Sequence, residues 1–159
     1  MKELTYREII DPDDKILYQV DILFLEMYEQ MMELGLMIPL DTAGVRKWMN
    51  SIKKNLNRFG ILEVALKNDL LVGFAHGAIS ITPDYLGNKK VGVVTHIYVQ
   101  PFYRMSKVGR QLLNNLEKWF ENKGVHSIEL QVLHENAAAI KFWDEMGYHR
   151  ELLQYRKLI

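Results

Sequence analysis

The sequence predicts an α/β fold, a mixed central sheet with helices on both faces, in the order β-α-α-β-β-β-α-β-α-β. Three observations predict it. Two stretches of helical period lie early in the chain, behind one short strand-like segment. From Ile61 to Val99 the period changes to that of strands, broken by turn residues. Beyond Pro101 helical and strand patterns alternate again.

Leu4 to Ile10 is rich in strand formers. Asp11-Pro12-Asp13-Asp14 then reads as a helix start, with a capping carboxylate, a proline suited to the first turn and further acids at the positive helix end. Ile16, Leu17, Val20, Leu23, Phe24, Met27 and Met31 follow at helical spacing, and Gly35 should stop that helix. A second helix should start at Asp41 or Thr42 and bury Val45, Trp48, Met49, Ile52 and Leu56. ILEVALK and LLVGFAHGAIS flank Asn68-Asp69, a two-residue hairpin signal. VGVVTHIYV is the next strand. Ser106 is placed to cap a helix with the stripe Val108, Leu112, Leu113, Leu116, Trp119 and Phe120, ending at Lys123-Gly124. HSIELQVL is a strand, Asn136 starts a short helix closed by Gly147, and HRELLQYRKLI reads as a last strand.

With 159 residues, nearly half apolar, the chain has the size and core of one domain spanning 1–159. Twenty basic residues balance twenty acidic ones, which argues against nucleic-acid or anionic-membrane partners. No cysteine is present, so disulfides, thiolate nucleophiles and cysteine metal sites are excluded. No apolar run of about 18 residues suggests a membrane span, and MKELTYREIID lacks the apolar block of a secretion signal. The expected location is cytoplasmic. The five histidines show no ligand spacing, so no metal is expected.

Two stretches carry chemistry. In VQPFYRMSKVGRQLL a strand turns through a short basic loop into a helix. The free N–H groups of that helix's first turn form an anion site, beside Arg104, Lys107 and Arg110. In LQVLHENAAAIKFWDEMGYHRE a strand passes through asparagine into a helix with two aromatics, then a Gly-aromatic pair. Together they resemble the GNAT acyltransferase superfamily. Its acyl-CoA signature falls on Arg104, Lys107 and Gly109, and its second signature on Asn136, Ala139, Phe142-Trp143 and Gly147-Tyr148.

The resemblance implies an N-acetyltransferase that moves acetyl from acetyl-CoA to a primary amine of a small molecule, peptide or protein, by direct attack in a ternary complex. It also implies the binding residues. Backbone N–H groups of Met105, Lys107, Val108, Gly109 and Arg110, with Arg104, would hold the pyrophosphate. Ile97 and Val99 would pair with the pantetheine, an N–H near Val99 would hold the thioester oxygen, Asn136 would bond the pantetheine arm, and Phe142 or Trp143 would flank the thioester. A homodimer is in keeping with the family.

Two departures stand out. Lys107 occupies the usual first glycine; it keeps its backbone donor and adds an ammonium. Trp143 occupies the position of the tyrosine that protonates the leaving thiolate in many members, and indole is no acid near neutral pH. Val93 and Thr95, at the usual base positions, do not titrate usefully. His96 and Tyr98 are then the candidate proton acceptors and Tyr155 an alternative donor, with alternation placing His96 and Tyr98 opposite Val93 and Thr95. Asp84, Glu63 and Asp41 are candidate anchors for a cationic substrate. The second reading is an acyl-CoA-binding domain with little or no transfer.

Overall fold

The structure, a computed structural model, describes residues 3–159. One five-stranded sheet organises it, in the spatial order β1-β2-β3-β4-β5. Its strands are β1 (Leu4–Glu8), β2 (Gly60–Lys67), β3 (Leu70–Ile81), β4 (Lys90–Val99) and β5 (Ser127–Glu129). The first four pair antiparallel, and β5 joins β4 in parallel. The parallel step needs a crossover, which α3 (Val108–Asn122) supplies. The remaining helices are α1 (Leu17–Glu33), α2 (Gly44–Asn55) and α4 (Ala137–Glu145).

The core lies in two layers. On one face Val20, Leu23, Phe24 and Met27 of α1 and Met49 and Ile52 of α2 cover Leu62, Val64, Phe74 and Tyr98. Phe24 and Trp48 stack there with ring centroids 3.9 Å apart. On the other face Val108, Leu112, Leu113, Leu116 and Phe120 of α3 cover Ile61, Ala65, Val72, Ala75 and Val94, with Trp143 of α4 beside them. Phe120 lies flat on the sheet because Gly77 and Gly92 leave room: a Cβ on either would sit 2.7 Å from its ring.

The hairpin between β2 and β3 turns through Asn68 (φ 54°) and Asp69 (φ 64°), as their side chains allow. Gly35 (φ 96°) ends α1 and Gly124 (φ 70°) follows α3, both as the sequence indicates.

Five expectations differ. Residues Asp11 to Ile16 form turns rather than helix: the Asp11 carboxylate accepts from the N–H of Asp13, and that of Asp14 accepts from Ile16 and is clamped by Arg7. Asp and Asn side chains that bond their own backbone two residues on favour turns, so the helix is delayed to Leu17. The Asp41 carboxylate is taken by Lys47, and α2 starts three residues later, at Gly44. Ser106 bonds the Tyr103 carbonyl and does not cap α3; Lys107 is the N-cap residue. Finally, β5 stops at Glu129, and the expected last strand does not form: residues 149–159 are all exposed and lie outside any strand. Strand-forming residues supply the propensity there, but no neighbouring backbone completes a ladder.

Candidate active site

The site begins where two strands part. β4 pairs with β5 only at Val91, Gly92 and Val93. From Val94 to Val99 the β5-facing edge of β4 has no strand beside it. Gln100 donates its N–H to Val72 on the β3 side (2.9 Å), so by alternation Ile97 and Val99 turn their backbone groups to the open edge. An extended, amide-bearing chain fits such an edge.

A bulge sits at the apex of the gap. β3 faces β4 as His76↔His96 and then Gly77↔Val94, which leaves Thr95 as the extra residue. The bulge reverses the alternation that an unbroken strand would keep. Val94 and Gly92 lie on the α3 face, while His96 and Tyr98 lie on the α1/α2 face. Val93 therefore shares a face with His96 and Tyr98, not the opposite one. Nothing in VGVVTHIYV marks the bulge, so the sequence pattern alone misses it.

Thr95 is exposed at this apex and links two histidines. Its hydroxyl donates to the His76 carbonyl (3.1 Å) and receives Nδ1 of His76 and of His96, the latter at 3.0 Å. Both rings then carry their proton on Nδ1 and a free lone pair on Nε2. Burial pushes His76 down to about 3, with the neighbouring His96 adding to the effect. Burial alone pushes His96 down to about 4. The His96 ring packs edge-on against Phe24 and Trp48. Both imidazoles are neutral at neutral pH.

At the far end of the gap, the loop into α3 is shaped for an anion. Met105 (φ 65°) and Lys107 (φ 67°) both take the left-handed conformation. Lysine adopts there what glycine adopts freely, at a backbone cost of order 1 kcal/mol. The first intrahelical bond is Gln111 to Lys107, so the N–H groups of Val108, Gly109 and Arg110 remain free in the first turn. Gly109 faces the Phe142 ring at 3.7 Å and Val99 at 3.8 Å from where a Cβ would stand. Loop, open edge and α4 thus converge.

Arg104 is placed differently from expectation. Its Nε donates to the Val99 carbonyl (2.8 Å), its Nη2 to Oε1 of Gln30 (2.8 Å), and the guanidinium lies over the Tyr98 ring. Gln30 in turn donates to the Tyr98 hydroxyl (2.9 Å). Arg104 clasps α1 to the end of β4 and holds the loop. Gln30 is a site residue that the sequence does not signal. Tyr98 is buried, and that burial raises its pKa, with Glu26 adding to the rise, so the phenol stays protonated.

Asn136 caps α4: its Oδ1 accepts from the Ala139 N–H (3.1 Å), leaving the Nδ2 donor uncommitted. Trp143 is buried, packed edge-on between Phe142 and Tyr148. Tyr155 lies 89% exposed in the segment after α4 and is not brought to the gap. Of the three carboxylate anchors, Glu63 is buried against α3, accepts from Asn115 (2.7 Å) and is unavailable to a substrate. Burial raises its pKa. Asp41 is paired with Lys47 and Asp84 with Asn88. Among the described residues no cluster of three metal-ligating side chains occurs.

A gap between parting strands thus lies beside a helix start whose first N–H groups are free, an arrangement open to an extended ligand that carries negative charge at one end. The sequence matches the acetyltransferase (GNAT) family over residues 24–148, and the chain belongs to that family. It is an acyl-CoA-dependent N-acyltransferase, with acetyl-CoA as co-substrate.

Aminoglycoside N(6')-acetyltransferase type 1 of Salmonella typhimurium (strain LT2) is 27% identical over 99 residues, 59% of this chain and 67% of that protein. Two solved structures share the fold. Aminoglycoside N-acetyltransferase AAC(6')-Iy in complex with CoA has a TM-score of 0.76 at 18% identity, over 98% of this chain and 95% of that one. An acetyltransferase from Clostridium acetobutylicum, solved with acetyl-CoA, has a TM-score of 0.75 at 16% identity, over 99% and 96%. Among the described residues no helix is long and apolar enough to cross a membrane.

Proposed function

We propose that this chain, acting as one cytoplasmic domain, acetylates a primary amine of a small polycationic molecule, and that the gap between β4 and β5 holds acetyl-CoA. The observation that carries the binding reading is the left-handed loop at Met105 and Lys107 with three free N–H groups, set at the end of the open β4 edge. The pyrophosphate rests on the loop, and the pantetheine pairs with Ile97 and Val99. The Asn136 Nδ2 bonds the arm, and Phe142 flanks it. Arg104 acts by positioning the loop through Val99 and Gln30. Trp143 serves the core.

The acceptor amine enters between the α1–α2 connection and β4. Met37 (52% exposed) and Ile38 (50%) give that connection an apolar, adaptable wall, and a Cβ on Gly35 would stand 4.0 Å from the Glu135 side chain. Met27 and Met31, by contrast, pack in or against the core. The aminoglycoside acetyltransferase relatives support a polyamine acceptor.

The neutral amine attacks the thioester carbonyl. A C–N bond forms, and the oxyanion is held by a backbone N–H at the open edge. The C–S bond then breaks and the thiolate leaves. The nitrogen gives up its proton to water, and water protonates the thiolate. Tyr98 and Tyr155 take no part. Proximity in the ternary complex supplies much of the rate.

The alternative, binding without transfer, is favoured by the buried tryptophan where a tyrosine acid would stand. An acetyl-CoA assay against aminoglycosides, linear polyamines and peptide N-termini separates the readings. CoA release with a polyamine supports the proposal, release only with peptides rejects the small-molecule acceptor, and binding without any release supports the alternative.

A further inference from the structure

The gap between β4 and β5 closes at one residue pair. Val93 and Glu129 are the last partners in the parallel register of the two strands, and Glu129 is the last residue of β5. Residues in register on neighbouring strands turn their side chains to the same face, with the strands about 4.8 Å apart. The pair before them, Gly92 and Ile128, lies on the α3 face, Gly92 under the Phe120 ring and Ile128 packed in the α3 layer. Leu130 and Val132 pack in that layer as well. By alternation Val93 and Glu129 share the opposite face, that of His96 and Tyr98.

This face is open at the apex. α1 and α2 cover Leu62, Val64, Phe74 and Tyr98, towards the other end of β4. Glu129 is exposed and, among the described residues, joins no ion pair. On the same face burial keeps His76 and His96 uncharged, and the Tyr98 hydroxyl is bonded to Gln30. An arm that starts on the loop before α3 and pairs with Val99 and then Ile97 runs along β4 towards Thr95, at about 3.4 Å per residue. Its acyl end then comes to rest beside the Val93–Glu129 pair. Valine cannot take a proton there, and the carboxylate one strand away can.

On the reading that the gap holds acetyl-CoA beside an amine, we propose that Glu129 is a catalytic residue whose carboxylate receives, through one water, the proton that the amine nitrogen loses as the C–N bond forms. The neutral amine attacks, and its proton passes by the water to a carboxylate oxygen of Glu129. The C–S bond breaks and water protonates the thiolate. The Glu129 carboxyl, being exposed, gives its proton back to solvent and so replaces the one the thiolate took.

The test is steady-state acetylation of kanamycin and of spermidine by the full chain, as wild type, Glu129→Gln and Glu129→Asp, with calorimetric titration of each by acetyl-CoA. Glu129 is exposed at a strand end, so the variants should fold, as circular dichroism checks. At pH 7 Glu129→Gln should lose kcat by about 100-fold with its affinity for acetyl-CoA unchanged. The deficit should shrink towards about pH 9, as hydroxide replaces the carboxylate, and Glu129→Asp should recover part of the rate. A Glu129→Gln enzyme with the kcat of the wild type at pH 7 overturns the proposal. So does one that only raises KM for the amine, equally at every pH, since the carboxylate would then anchor a cation and move no proton. A wild type that binds acetyl-CoA and acetylates neither amine overturns the small-molecule acceptor first, and the role of Glu129 with it.

Discussion

The neutrality of the two bridged histidines makes a quantitative prediction about stability against pH. In the unfolded chain each imidazole titrates near about 6.5. In the fold His96 is held down to about 4 and His76 to about 3 by burial. As pH falls below the unfolded value, the unfolded chain takes up protons that the folded one refuses. The stability these groups contribute is fully present above neutral pH and is lost as pH falls towards the folded values. For His96 the loss between pH 7 and pH 5 is about 2 kcal/mol, and His76 should lose a similar amount. Glu63, whose pKa is raised by burial, opposes this, because the fold then holds its proton more tightly. Comparison with a variant cancels that contribution. His96→Phe keeps an aromatic ring against Phe24 and Trp48 and removes one titrating group. Urea unfolding at a series of pH values should show the wild type losing about 2 kcal/mol more than His96→Phe over that interval. His76→Gln should show a comparable difference. Parallel curves in all three proteins would mean that the imidazoles titrate normally and that the bulge does not bury them.

Other perturbations test the site and its support. Thr95→Val removes the hydroxyl that joins both imidazoles and leaves their Nδ1 donors without that acceptor; the fold should lose about 1–3 kcal/mol in urea unfolding, and Thr95→Ser should restore it. Equal stability in Thr95→Val and wild type would mean that the hydroxyl does not hold the two rings. Lys107→Gly relieves a left-handed lysine and should stabilise the fold by about 1 kcal/mol. It should also weaken CoA binding and flatten its salt dependence; unchanged binding would place the ammonium in solvent. Gly92→Ala puts a methyl 2.7 Å from the buried Phe120 ring and should cost about 1–3 kcal/mol in urea unfolding. A neutral result would show that Phe120 moves freely.

The sequence made legible what depends on local chemistry. Gly35, Gly124 and the Asn68-Asp69 turn ended elements where their backbone freedom is needed. The stripes of α1, α2 and α3 faced the sheet as their spacing required. The free N–H groups at the start of α3 were legible too, because Gly109 and the helix pattern behind it are local. What stayed hidden depends on partners distant in the chain. Arg104 reads as a phosphate ligand until Gln30, from another element, is seen to hold it. The Thr95 bulge depends on how β3 and β4 slip past one another, which no alternation reveals. Asp11 and Asp41 have the chemistry of helix caps and were spent on turns and on Lys47. The segment 149–159 carries strand propensity without a strand beside it, so its fate lies outside its own residues.

The central claim is that the open β4 edge and the left-handed loop together hold acetyl-CoA. Calorimetric titration with acetyl-CoA, with ATP at the same salt as the control, tests it most directly. The account predicts micromolar binding of acetyl-CoA, well ahead of ATP, because the pantetheine adds strand pairing at Ile97 and Val99 to the phosphate contacts. No heat at millimolar acetyl-CoA, or equal affinity for ATP, would contradict it.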